Sequence, residues 1–155
     1  MHYMPSDAIA ILSRSLLDTC LCHNVRMASR VVTRAYDDAL RPIRLRASQV
    51  AVLAAVGAEG ALSIKSLADS MEMERTTLTR NLRPLEEQKL VSMSAEGRYR
   101  SRVVALTAAG KAALLEALPY WKHAQKASQL QLGQRWLAVQ KAHADLVNKM
   151  HRANP

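Results

Sequence analysis

Between Arg75 and Gln88 the chain reads Arg-Thr-Thr-Leu-Thr-Arg-Asn-Leu-Arg-Pro-Leu-Glu-Glu-Gln, and this stretch constrains the rest. Wound as a helix, Leu78, Leu82 and Leu85 recur at i, i+4 and i+7 on one face. Thr76, Arg80 and Arg83 then fall on the opposite face. A helix built only to sit in water usually mixes acids and bases as i,i+4 pairs. Here the first two turns expose hydroxyls and guanidinium groups, and the acids follow only at Glu86 and Glu87. Short hydroxyls and bidentate guanidinium donors suit phosphate oxygens and guanine edges. A merely solvated face would present the same residues, so the neighbouring segments decide. Pro84 removes the hydrogen bond to the Arg80 carbonyl, which predicts a bend or a tight start to the last turns.

Upstream, Ser63-Ile64-Lys65-Ser66-Leu67-Ala68-Asp69-Ser70-Met71 predicts a short helix with Ser63 as its N-cap. Ile64, Leu67, Ala68 and Met71 would turn inward, and Glu72-Met73-Glu74 connects to the next helix. Two helices joined so closely predict a helix-turn-helix whose second member is the recognition helix. Downstream, Leu90–Met93 and Arg102–Leu106 are β-like runs flanking a turn-prone segment with Gly97 and the basic residues Arg98, Arg100 and Arg102. A hairpin after a recognition helix is a wing, and its arginines would act through phosphates or the minor groove. Together these elements predict a DNA-binding module. Its candidate contacts are Ser63, Arg75, Thr76, Thr77, Thr79, Arg80 and Arg83 with the three wing arginines.

The order of these residues resembles the MarR family of bacterial winged-helix regulators, from about Cys20 to about Trp136. The likeness is carried by Leu45–Val56 with Gln49 and Leu53, by Leu67-Ala68, and by Arg75-Thr76-Thr77-Leu78-Thr79-Arg80. It continues through Leu85-Glu86, Leu90-Val91 and Leu106-Thr107-Ala108-Ala109-Gly110. One position departs: the family wing usually carries an Asp two residues before the wing-tip Arg. Arg100 fits the Arg, but Arg98 stands where the Asp would be. The resemblance implies a mainly α fold, with a winged helix-turn-helix lobe over 45–107 and a small β-hairpin wing. Dimerisation helices over 6–41 and 108–152 complete one MarR-type domain of residues 1–155.

The 155 residues suffice for one domain with a core plus an assembly element. Phe is absent, so the core must be Leu, Val, Ala, Ile and Met. A net charge of +9 favours a polyanion, and no polybasic helix with a bulky aromatic face points to a membrane surface instead. No run of 18 apolar residues and no secretory leader is visible, so a cytoplasmic location with reduced cysteines is expected. His2, His23, His123, His143 and His151 are scattered without metal-site spacing. Neither a nucleophile elbow nor a glycine-rich phosphate loop appears, so neither enzyme nor cofactor is expected.

Ser6 to Leu40 recurs in Ile, Leu, Val and Ala at helical intervals, with a break and fresh N-cap expected at Asp18-Thr19 and an end at Pro42. After Gly110 a helix to Leu132 and another beyond Gly133, striped with Trp136, Leu137, Val139, Leu146, Val147 and Met150, are expected. Terminal helices this apolar predict a homodimer that reads a pseudo-palindromic operator.

Two switches suit such a regulator. Cys20 and Cys22, two apart on a helix, point about 200° away from each other and would not bridge within it. As small apolar residues both would be buried filler. Leu21-Cys22-His23 followed by Ala28-Ser29-Arg30 and Ala35-Tyr36 is similar to the first helix of the organic-hydroperoxide-sensing branch of the family. That likeness makes Cys22 a peroxidatic thiol served by the partner's tyrosines, at the positions of Tyr36 and of Arg26, where the tyrosine is replaced. Cys20 is then the only resolving thiol in the sequence. Most of the family instead responds to small phenolic acids bound between the dimerisation helices and the DNA-binding lobe. The corresponding lining is Arg30, Arg34, Tyr36, Gln49 and Tyr120 or Trp121. A non-specific architectural nucleic-acid binder would also use the positive charge, without needing the Thr-Arg face.

Overall fold

The computed structural model describes residues 6–94 and 102–153. Helix α1 (Ser6–Thr19) and helix α2 (Leu21–Leu40) lead into a 3-10 turn at Arg41–Ile43. Helix α3 (Ala47–Glu59), strand β1 (Leu62–Ser63), helix α4 (Ile64–Ser70) and helix α5 (Arg75–Glu87) follow. Strands β2 (Val91–Met93) and β3 (Val103–Leu106) precede helix α6 (Ala108–Leu132), a 3-10 turn at Gly133–Arg135 and helix α7 (Trp136–Ala153). The mainly helical winged helix-turn-helix architecture expected from the sequence is the one observed.

The expected break after the first helix lies one residue later than Asp18-Thr19. Thr19 turns its hydroxyl back onto the Ser15 carbonyl at 2.7 Å, and Cys20 becomes the N-cap of α2, its Sγ accepting from the His23 N–H at 3.5 Å. Pro42 sits in the 3-10 turn that closes α2, as its missing N–H requires. The helix carrying Pro84 continues through it to Glu87.

The core lies in the winged-helix lobe. Val52, Leu53 and Val56 of α3, Leu67 of α4, and Leu78, Leu82 and Leu85 of α5 share one cluster, with Val104 of β3 beneath them. All but Val56, at 1%, are fully buried. The sheet is antiparallel in the order β1-β3-β2, with Val91 opposite Leu106 and Leu62 opposite Val104. β1 has two residues, too short to give a period-two pattern in the sequence.

The family-like run Leu106-Thr107-x-x-Gly110 has a local physical cause. Thr107 caps α6 by accepting the Gly110 N–H at 3.0 Å, and its hydroxyl reaches the Lys89 carbonyl at 2.7 Å. Its own N–H donates to the Leu90 carbonyl at 3.1 Å. Gly110 is thereby pressed onto that carbonyl: a Cβ there would lie 1.9 Å from the Leu90 oxygen. The start of α6 is thus clamped to the end of the recognition-helix segment.

The apolar faces of the terminal helices are open. Ile11, Leu12 and Leu16 of α1, Val31 of α2, Leu115 and Leu130 of α6, and Leu137 of α7 are all more than half exposed, Leu137 at 77%. Scattered apolar residues on a surface need no explanation, but several contiguous helix faces do. Among the described residues no helix is long and apolar enough to cross a membrane.

Candidate nucleic-acid interface

Ser63 ends β1 in extended conformation, and its Oγ accepts the Ser66 N–H at 3.0 Å. The Ser63 side chain is therefore occupied in starting α4, where it also meets Ser66 Oγ at 2.8 Å. Ile64, Leu67 and Ala68 are buried and Met71 half-buried, as the spacing predicts. Glu72 turns the corner into α5 with φ of 50°. It lies in the left-handed region usually left to Gly or Asn.

Three leucines pin α5 to the core, and this fixes which way its other face points. Thr76, Thr77, Thr79, Arg80 and Arg83 are exposed, with Arg75 at the first helical position. Glu74, the N-cap, makes no side-chain cap hydrogen bond. The first N–H groups of α5 thus keep their partial positive charge beside the threonines. The hydroxyl of Thr79 donates to the Arg75 carbonyl at 2.7 Å, so its proton is used locally. Thr76, Thr79, Arg80 and Arg83 line one side of a shallow open depression, and Met93 and Arg102 at the base of the hairpin close it.

The acids at the end of α5 curl back into that surface. Glu87 Oε1 meets Arg83 Nε at 2.9 Å, and Glu86 Oε1 lies 3.9 Å from Arg102. The first pair was legible as an i,i+4 spacing; the second joins residues distant in the sequence. Arg98 and Arg100 lie outside the described residues.

The remaining candidates are dispersed. Arg30 and Arg34 lie exposed on α2, Trp121 is exposed and Tyr120 half-buried. The Gln49 Oε1 accepts the Arg46 N–H at 2.9 Å, so its amide oxygen serves the start of α3. Tyr36 donates its hydroxyl to Gln125 Oε1 of α6. Within the single chain both cysteines are free thiols, Cys22 exposed and Cys20 half-buried at its cap. Cys20 stands in extended conformation between α1 and α2, so the helix-face geometry drawn for the pair does not apply. Arg26 is exposed one turn beyond Cys22.

A leucine-anchored helix exposing threonine and arginine, preceded by a short helix and followed by a two-stranded hairpin, defines a winged-helix DNA-binding transcriptional regulator. The chain belongs to the MarR family: the family model matches residues 45–96, and a structural likeness over 88% of the chain extends beyond it. The transcriptional regulator MosR of M. tuberculosis is similar at 35% identity and TM-score 0.76, over 88% of this chain and 98% of that one. The same regulator in complex with DNA matches at 34% identity and TM-score 0.78, over 88% and 99%. BpsR of Bordetella bronchiseptica, whose DNA binding is regulated by 6-hydroxynicotinic acid, shares the fold at 23% identity and TM-score 0.70, over 86% and 95%. Comparison with curated protein sequences gives no match.

Proposed function

We propose that the chain is a homodimeric repressor that reads a pseudo-palindromic operator and is released from it by a small phenolic-type acid. It acts as one MarR-type unit, with residues 6–41 and 108–152 pairing two copies and 45–107 reading DNA. The exposed Thr-Arg face of α5, held rigid by Leu78, Leu82 and Leu85, carries the reading. Thr76, Thr77 and Arg80 approach base edges in the major groove, while Arg83 and the wing arginines hold phosphates. The open apolar faces of α1, α2, α6 and α7 support the dimer, because burying them against a second copy removes them from water.

Replacing Arg80 by Ala is expected to weaken binding to the preferred duplex by roughly 1–3 kcal/mol and to relax its sequence preference. The check is a titration on a duplex selected by the protein from a random pool, beside one of scrambled sequence. An equal loss on both would leave Arg80 as a phosphate contact and favour an architectural nucleic-acid binder.

Release by a hydroxylated aromatic acid is supported by the 6-hydroxynicotinic acid response of BpsR on the same fold. Arg30 and Arg34, four residues apart on α2, supply cations for a carboxylate, and Tyr36, Tyr120 and Trp121 supply aromatic surface. The exposure of Cys22 supports a second reading, a thiol switch. Sulfenic acid and disulfide are the reversible rungs of cysteine oxidation. Release by phenolic acids that persists in Cys22→Ser is the expected outcome. Release by an organic hydroperoxide, reversed by a thiol reductant and abolished in Cys22→Ser, would replace the ligand reading with the redox one.

A further inference from the structure

An α-helix opens with N–H groups that its own carbonyls cannot reach, and a Ser, Thr, Asp or Asn at the preceding position ordinarily satisfies one of them. In front of α3 that position is Arg46, whose side chain only donates. The first turn of α3 carries no acid either. The missing acceptor comes from another helix. Asp37, near the end of α2, takes the Ala47 N–H on Oδ1 at 2.7 Å and the Arg46 guanidinium on Oδ2 at 3.4 Å. Its side chain is only 24% exposed. It brings a negative charge to the positive end of α3.

The residue before it points elsewhere. Tyr36, about 100° round the same helix, donates to Gln125 within α6. Adjacent residues of α2 therefore tie two elements that also meet it in the core through Leu40 and Ala117: Tyr36 holds α6, and Asp37 holds the first turn of α3. Between α2 and α3 the chain runs through a 3-10 turn and Arg44 in the left-handed region. Helix α3 then shares its buried Val52, Leu53 and Val56 with the leucines of α5. A shift at the start of α3 is carried to the recognition helix, because a close-packed core transmits strain.

We propose that Asp37 is a positioning residue for operator recognition: it fixes the angle at which the reading lobe leaves the dimer arm, and so the half-site spacing that two recognition helices accept. The proposal rests on the dimeric reading above. A dimer must present both helices about one helical turn of DNA apart, and a loosened joint spreads that distance.

The test uses the full chain, Asp37→Ala and Asp37→Asn. The probes are a duplex selected from a random pool by the parent protein, a duplex holding one of its half-sites, and selected duplexes with one base pair added or removed at the centre. Asp37→Ala is expected to remain dimeric by sedimentation and to bind the half-site like the parent. It should lose roughly tenfold in affinity for the selected duplex, and should discriminate less against the altered spacings. Asp37→Asn keeps an oxygen for the Ala47 N–H and should restore most of the lost affinity and spacing preference. Equal losses on half-site and full duplex, an unchanged spacing preference, or no rescue by Asn would each overturn the proposal. A parent protein that sediments as a monomer would overturn the dimer itself, and this outcome is read before any variant is made.

Discussion

A Gly110→Ala variant is expected to unfold at a clearly lower temperature than the parent chain. Two physical effects oppose each other at this position. In a helix Ala is favoured over Gly by up to about 1 kcal/mol, less in a first turn such as this, so propensity alone predicts a small stabilisation. The packing predicts the reverse, since the new Cβ would meet the Leu90 carbonyl oxygen at 1.9 Å and its carbon at 2.9 Å. Those atoms are backbone, held where the Thr107 N–H and hydroxyl meet the segment after α5, so they cannot swing aside as a side-chain tip would. Overpacking of this kind typically costs about 1–3 kcal/mol and occasionally more. A rigid backbone neighbour puts this site at the upper end. Thermal unfolding followed by circular dichroism gives the sign directly. A variant as stable as the parent, or more so, would show that the start of α6 can lift from Leu90 without loss.

Ending the chain after Leu132 is expected to abolish tight operator binding. Helix α7 would be removed with its exposed Leu137, Val139, Val147 and Met150, and the facing apolar surface would lose its cover in the assembly. If α7 helps to pair the copies, the product is a monomer or an aggregate. One head then binds where two bound before. Losing the intramolecular second contact costs about 10²–10⁴ in apparent affinity. Sedimentation and titration on the selected duplex check the two halves of this expectation together. A well-behaved truncated monomer with full affinity would take α7 out of the assembly.

The winged-helix lobe was legible because its signals are short-ranged. Ser63 caps the helix it was assigned to, and the leucine spacing of 78, 82 and 85 marks the buried face. The two β-like runs pair as the expected hairpin. The features not legible in the sequence depend on contacts between distant residues. β1 exists only because β3 offers it an edge, with Ser63 opposite Val103. The approach of Glu86 to Arg102 needs the fold before it can be seen. Cys20 is a different case, a local one. A thiol is a poor cap acceptor beside the neighbouring hydroxyl, so the sequence favoured Thr19; in the folded chain the Thr19 hydroxyl is taken by Ser15 and the sulfur is left to cap α2. Tyr36 was legible as a chemically useful group but not as a tie between α2 and α6, since nothing local relates it to Gln125.

Arg83 and Arg102, proposed above to hold phosphates, are each paired with a carboxylate in the free chain. A duplex sheds about 0.9 of a condensed cation for each phosphate that a protein neutralises, and this release drives much of the binding. When these two arginines turn to phosphates, however, Glu86 and Glu87 are left beside a polyanion without their partners. Each stranded carboxylate draws a cation back from solution and offsets part of the gain. The salt dependence of binding is therefore expected to be shallower than the number of arginine–phosphate contacts alone would give. Surface ion pairs of this type are weak, so the offset is small. On the proposed reading, a chain of net charge +9 thus carries on its duplex-facing surface a small brake against settling on any stretch of DNA it meets.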